Sequence, residues 1–275
     1  MSPRALRRDA DPGRARQPEA GRRWPILVPA AAAVALLALP LLALLLRVDW
    51  AGLPRDIATP LARQALALSA LTTSVTLVVV MLLGTPLAWV LARGSHPTVP
   101  WLRALVTVPL VLPPVVGGVA LLAAWGRQGV FGAVLDDTLG VTIPFTTVAV
   151  IVAETFVALP FYVIAVEGSM RGLDQRLDGI AATLGASPLR TFTRVVIPLV
   201  GPGMAAGAAL AWARALGEFG ATITFAGNFP GRTQTVPLGV FAALEQDPDA
   251  ALALSVLMLA VCLVVLGALR TRWLT

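Results

Sequence analysis

The 275-residue chain contains no lysine: all of its 21 basic residues are arginine. A Walker-type phosphate loop, a Schiff base and any other lysine chemistry are therefore excluded, and an energy source, if one is used, lies on another chain. A single histidine, His96, and a single cysteine, Cys262, exclude an intrachain disulfide, a Cys/His metal cluster and a site needing two imidazoles. Charge is scarce at 13% of residues, whereas 57% are hydrophobic and the mean hydropathy is +0.81. That balance belongs to a membrane protein rather than a water-solvated domain. The net charge of +6 invites a nucleic-acid reading, but the arginines flank apolar spans instead of pooling on a soluble module. The bilayer is the expected partner, with no role for nucleic acid.

A hydrocarbon core of roughly 30 Å takes about 20 apolar residues of helix. Six stretches qualify: Trp24–Leu46, Leu68–Leu91, Leu102–Trp125, Phe145–Val166, Pro198–Glu218 and Ala250–Leu269. The expected fold is all-α with six transmembrane helices and no room for a soluble domain. The first span, at 23 residues, is long for a signal-peptide core and is followed by no small-x-small cleavage site, so it reads as a retained anchor. An even count puts both termini on one side. Fifteen arginines fall on that side, seven of them between Arg4 and Arg23, against five on the other, with Arg214 inside the fifth span. Both termini are expected in the cytoplasm. Residues 1–23 are rich in Arg, Pro, Ala and Asp without apolar periodicity and read as a disordered tail, leaving 24–275 as the transmembrane domain.

Several residues inside the spans are expected to be structural. Trp24, Trp50, Trp101, Trp125 and Trp273 lie near span ends, as interfacial anchors do. Pro113-Pro114 with Gly117-Gly118, and Gly84 with Pro86, predict kinks or breaks in the third and second spans. Glu154, mid-span in the fourth helix, calls for a hydrogen bond from a neighbouring helix, since no further acid or histidine continues a proton path. Cys262 reads as a small core residue and His96 as a surface one.

The loop from Glu167 to Arg194 has its own helical pattern. Leu173, Leu177, Ile180, Ala181 and Leu184 form one apolar stripe opposite Asp174, Gln175, Arg176 and Asp178. Gly185 is placed to end that helix, and Ser187-Pro188 supplies an N-cap and first-turn proline for the next. An interfacial helix lying on lipid would show the same amphipathicity. The spacing adds more: Ala181, Gly185 and then Val195-Val196-Ile197-Pro198 resemble the cytoplasmic signature of ABC importer permeases, Glu-Ala-Ala, three residues, Gly, nine residues, Ile-x-Leu-Pro. That resemblance implies a type I permease fold in which this loop is a coupling helix docking on a separate ATPase. Asp178, Ala181, Ala182, Gly185, Ala186 and Pro188 are then the coupling residues. The chain departs from the pattern at Gly179, where the glutamate belongs, and at Ile180, where the first alanine belongs. Asp178 is displaced from the glutamate position by about 100° of helical rotation.

From the end of the fifth span runs Arg214-Ala-Leu-Gly-Glu218-Phe-Gly220-Ala-Thr222-Ile-Thr224, continuing through Gly227-Asn228-x-Pro230-Gly-Arg232-Thr233-Gln234-Thr235. Arg214 and Glu218 are spaced to pair across one helical turn, either as a structural ion pair or as part of a pathway. The glycines allow close approach or a break, and the hydroxyl and amide groups suit a hydrated anion. The run resembles the permease subunit of molybdate importers and, more distantly, that of sulfate importers. It implies Arg214, Glu218, Gly220, Thr222, Thr224 and Asn228 as gate and pathway residues. Membership would further imply a homodimer in a bacterial plasma membrane, two ATPase subunits that bind ATP and Mg, an extracytoplasmic molybdate-binding protein, and no cofactor or metal in this chain. Sulfate is the alternative cargo. A stand-alone secondary transporter would have no reason to keep the coupling loop, and an intramembrane enzyme lacks a nucleophile with its base.

Overall fold

The computed structural model describes residues 24–174 and 176–273; the tail read from residues 1–23 lies outside them. The described residues are mostly helical and contain no strand. Two compact units divide at Arg47. The first contributes α1 (Trp24–Arg47), an apolar helix none of whose residues is buried.

The second unit begins with a short α2 (Leu53–Ile57) and then α3 (Pro60–Arg93), which starts eight residues before the expected span. The early start has a local cause: the Thr59 side chain accepts a bond from Ala62 N at 3.3 Å and Pro60 occupies the first helical position. α3 runs without interruption through Gly84 and Pro86, where the sequence predicts a kink or break. The third span, by contrast, is split into α4 (Val99–Val111) and α5 (Pro114–Trp125), bent by 119°. Leu112 and Pro113 between them are extended, because a residue preceding proline is driven out of the helical region. After α6 (Gly132–Leu139) comes α7 (Thr147–Arg171), capped by the Thr146 hydroxyl. The loop helices α8 (Arg176–Thr183) and α9 (Pro188–Thr191) lead through a π-helical turn (Phe192–Val196) into α10 (Ile197–Leu216). α11 (Gly220–Phe225), α12 (Val236–Gln246) and α13 (Pro248–Trp273) complete the chain. Among the described residues, five helical runs, α1 included, are long and apolar enough to cross a membrane, six if the bent α4–α5 pair counts as one.

The centre of this unit is the packing of α3, α7 and α10. Lipid cannot drive helices together by hydrophobicity, so close contact of small residues does it. Tyr162 of α7 is fully buried, and its hydroxyl lies 2.8 Å from Thr85 Oγ1 of α3. A Cβ at Gly84 would sit 2.7 Å from the Tyr162 ring, and one at Gly207 of α10 would sit 3.3 Å from the ring and 3.1 Å from Ala165 Cβ. The ring is thus clasped between two backbones. Gly207, Ala211 and Ala215, four residues apart, are all buried and carry the same small-residue stripe along α10.

Candidate functional site

The loop between α7 and α10 folds locally as its sequence dictates. α8 ends at Gly185, whose φ of +78° is the left-handed conformation that glycine adopts without a Cβ penalty. Gly185 N donates to Ala182 O and Ala186 N to Ala181 O, each at 3.0 Å, closing the helix end. Ser187 then caps α9, its hydroxyl accepting from Arg190 N, with Pro188 in the first turn. Of the expected coupling residues, Ala182, Ala186 and Pro188 come together with Trp89, Thr191 and Phe192 around a hollow of about 200 Å³. Ala182 and Pro188 are exposed, Ala186 is half-buried, and Ala181 is buried at 8%. Asp178 lies on α8 by its backbone. The apolar stripe is covered by the rest of the chain only in part: Ala181 is buried and Leu173 packs on the core, but Ile180 is 56% and Leu184 82% exposed. It presents carbon to whatever docks there.

Near the base of this loop, Glu167 joins three helices. Its Oε1 takes Arg103 Nε of α4 at 3.0 Å and Arg171 Nε of α7 at 2.9 Å. Both guanidiniums also donate to Leu91 O at the end of α3, at 3.0 and 3.5 Å. Buried carbonyls of a helix C-terminus are satisfied by the cations that favour that end.

The second region forms where α10 ends. The Arg214 and Glu218 side chains pair at 2.5 Å, and the Glu218 side chain is only 1% exposed. The contact is charge to charge, without an N–H aligned on Oε2. Glu218 Oε1, from the residue before the N-cap Phe219, accepts from Ala221 N at 2.7 Å and so satisfies one first-turn N–H of α11. Gly220 follows with Pro114 of α5 pressed against it, a Cβ there coming within 2.7 Å. Thr222 is fully buried, and its hydroxyl has no hydrogen-bond partner. Thr224 bonds its own helix at Gly220 O, 2.8 Å away, and Asn228 Nδ2 reaches Leu238 O at 3.4 Å. Arg214, Glu218, Gly220, Thr222 and Thr224 therefore occupy one continuous stretch from the end of α10 through α11, with Asn228 in the loop beyond it, its amide reaching α12 at Leu238.

Glu154 is bonded across the α3–α7 contact, as its position predicts. Thr72 Oγ1 donates to one carboxylate oxygen at 2.8 Å and Thr76 Oγ1 to the other at 2.9 Å. The signal for these threonines is a hydroxyl stripe, Ser69, Thr72, Thr73 and Thr76, on one face of an otherwise apolar helix. Ser69 Oγ in turn accepts from Val236 N at 2.8 Å, holding the start of α12 on α3. An apolar groove of about 360 Å³ runs along α12, lined by Phe219, Pro237, Val240, Phe241, Leu244, Ser255 and Met258. Its carbon lining does not suit an anion. Among the described residues no cluster of three or more His, Cys, Asp or Glu could hold a metal ion.

This architecture is that of a membrane-embedded transport component, and the sequence matches the family of binding-protein-dependent transport system inner membrane components over residues 84–274. The chain belongs to that family. It is similar to the molybdenum transport system permease protein ModB of Mycobacterium tuberculosis, 49% identical over 246 residues, which is 89% of this chain and 92% of the relative. The protein of the same name in Escherichia coli is 36% identical over 211 residues, covering 77% of this chain and 92% of the relative. In fold it is similar to a chain of a bacterial ABC transporter involved in alginate import, with a TM-score of 0.74 at 14% identity over 91% of this chain and 95% of the other. The all-α ABC importer permease fold expected from the sequence is thus the fold observed.

Proposed function

We propose that this chain is the membrane-spanning permease subunit of an ATP-driven importer that moves molybdate, and the near-identical dianion tungstate, into the cytoplasm. The observation that carries the reading is the pairing of half-buried Arg214 with buried Glu218, followed by a segment of hydroxyl and amide groups, in a chain that also keeps an exposed helix–Gly185–helix loop. The names of the M. tuberculosis and E. coli relatives support molybdate, and the sulfate alternative has less support.

In this reading two copies of the chain sit in a bacterial plasma membrane with both termini cytoplasmic. Two ATPase subunits, which bind ATP and Mg, dock on Asp178, Ala181, Ala182, Gly185, Ala186 and Pro188, and an extracytoplasmic binding protein delivers the anion. The chain itself makes and breaks no bond and holds no cofactor. Movement of the docked loops is passed to α10 through the π-turn at Phe192–Val196, since α9, this turn and α10 are one helical run. At the far end of α10, Arg214 is the cation that an incoming dianion would meet, while Glu218 neutralises it between passages. Thr222, Thr224 and Asn228 line the route with Gly220 at the turn.

Selectivity tests the cargo. Uptake of radiolabelled molybdate by the assembled permease, ATPase and binding protein should be blocked by unlabelled tungstate and unaffected by a large excess of sulfate. Competition by sulfate at equal concentration would make this a sulfate permease.

A further inference from the structure

The start of α12 collects buried polar groups for which the fold supplies no partner. Thr235 is its N-cap residue, with extended backbone, yet its side chain makes no capping bond. The hydroxyl is buried without a hydrogen-bond partner in a residue only 3% exposed. Gln234, 4% exposed, likewise has a buried and unpartnered Oε1. The Asn228 side chain lies on the same first turn, because its Nδ2 donates to Leu238 O, and its Oδ1 is a third buried atom without a partner. Of the helix's first N–H groups, Val236 donates to Ser69 Oγ and Pro237 has none to give. The first bond inside the helix is Gly239 N to Thr235 O, at 2.8 Å, which leaves Leu238 N–H with no intrahelical acceptor.

Buried polar groups are almost always hydrogen-bonded in folded proteins, and a membrane segment raises the cost of leaving them otherwise. The Thr235 hydroxyl and the Gln234 amide at one helix start, together with the Leu238 N–H and the positive end of the helix dipole, have the chemistry of an anion site. A threonine hydroxyl turns freely, and a glutamine side chain can present its NH2 by rotating its last torsion. The Thr235 hydroxyl, the Gln234 NH2 and Leu238 N–H then donate, while Asn228 Oδ1, whose Nδ2 is held by Leu238 O, stays an acceptor. No full positive charge is among them, which fits an ion that must be released rather than trapped.

We infer that the N-terminus of α12, through the Thr235 hydroxyl, the Gln234 amide and Leu238 N–H, is a subsite for the translocated tetrahedral oxyanion. The inference rests on the proposed oxyanion import, and gives Gln234, already among the hydroxyl and amide groups that suit a hydrated anion, a specific place beside the Thr235 hydroxyl at the start of one helix. Ser69 is a positioning residue that holds this helix start against α3.

The test uses the complete assembly in proteoliposomes, with radiolabelled molybdate and the binding protein saturated. Thr235→Val removes the hydroxyl at nearly constant shape, and its uptake is expected to fall at least about tenfold, as for a lost hydrogen bond to a charged group. Thr235→Ser should restore uptake. Gln234→Glu keeps the size and turns a donor into a like charge; it should abolish uptake while the complex assembles and hydrolyses ATP. Wild-type uptake in both Thr235→Val and Gln234→Glu would overturn the subsite alone. If the wild-type assembly carries no molybdate, the proposed function fails and the subsite with it. Should Thr235→Val not assemble, the Gln234→Glu and Thr235→Ser results decide: unchanged uptake in Gln234→Glu overturns the subsite, and its loss with activity kept in Thr235→Ser supports it.

Discussion

Replacing Arg214 with methionine should abolish uptake and destabilise the permease by about 3–5 kcal/mol, the usual cost of leaving a buried charge without its partner. Glu218 is the reason: its side chain is 1% exposed, Arg214 is the cation paired with it, and the fold gives it only one N–H besides, from Ala221. Stability and transport then separate in the double variant. With Arg214→Met and Glu218→Met together, no charge is stranded, and hydrophobic replacement of a buried pair is often neutral or stabilising. Thermal unfolding in detergent should return to near the wild-type value. Uptake should not return, because the cation that meets the dianion is gone. A double variant that both folds and transports normally would reduce the pair to a structural ion pair. Glu218→Gln is the milder case, keeping the acceptor for Ala221 N while removing the charge; normal folding with normal transport there would argue the same way.

Ala182→Arg is expected to break coupling without harming the fold. Ala182 is exposed on α8 and lines the hollow with Ala186 and Pro188, so a longer side chain meets solvent in the isolated permease. Surface substitutions of this kind change stability by only about 0.5 kcal/mol. Against a docked ATPase the same guanidinium has nowhere to go. Uptake should drop by about 100-fold, equivalent to about 2.7 kcal/mol, and the ATPase should cease to copurify. Gly185→Ala is the contrasting variant. A Cβ there meets nothing within 4 Å, so its cost is confined to holding alanine at φ +78°, about 1–2 kcal/mol. It should weaken the loop without abolishing docking. An Ala182→Arg permease that retains the ATPase and transports normally would remove this surface from the docking site.

The features legible in the sequence are those fixed within one or two turns of chain. The ends of α8 and α9 at Gly185 and Ser187-Pro188, the break at Pro113-Pro114 and the pairing of Arg214 with Glu218 all follow from local backbone and charge rules. Glu154 could be read as needing a partner, but its partners could not be named. Thr72 and Thr76 lie 82 and 78 residues away, and only the packing of α3 on α7 brings them to the carboxylate. The continuity of α3 through Gly84 and Pro86 was hidden for the same reason. The proline removes a helical bond, yet Tyr162, clasped between Gly84 and Gly207, holds the helix from outside its own sequence. The π-turn before α10 was likewise unread, and Pro198 beyond it is a residue that cannot donate a helical bond. The buried threonines at positions 233 and 235 were visible as residue types, while their burial depends on Ser69 and Thr147 of other helices, which bond Val236 N and Arg232 O.

The most direct test of the account is molybdate uptake into proteoliposomes that hold this permease, with the ATPase and binding protein added or withheld in turn. Uptake should require all three proteins together with hydrolysable ATP, and should collapse when any one is missing. Uptake by the permease alone, driven by an ion gradient and indifferent to ATP, would contradict the account and make the chain a secondary transporter.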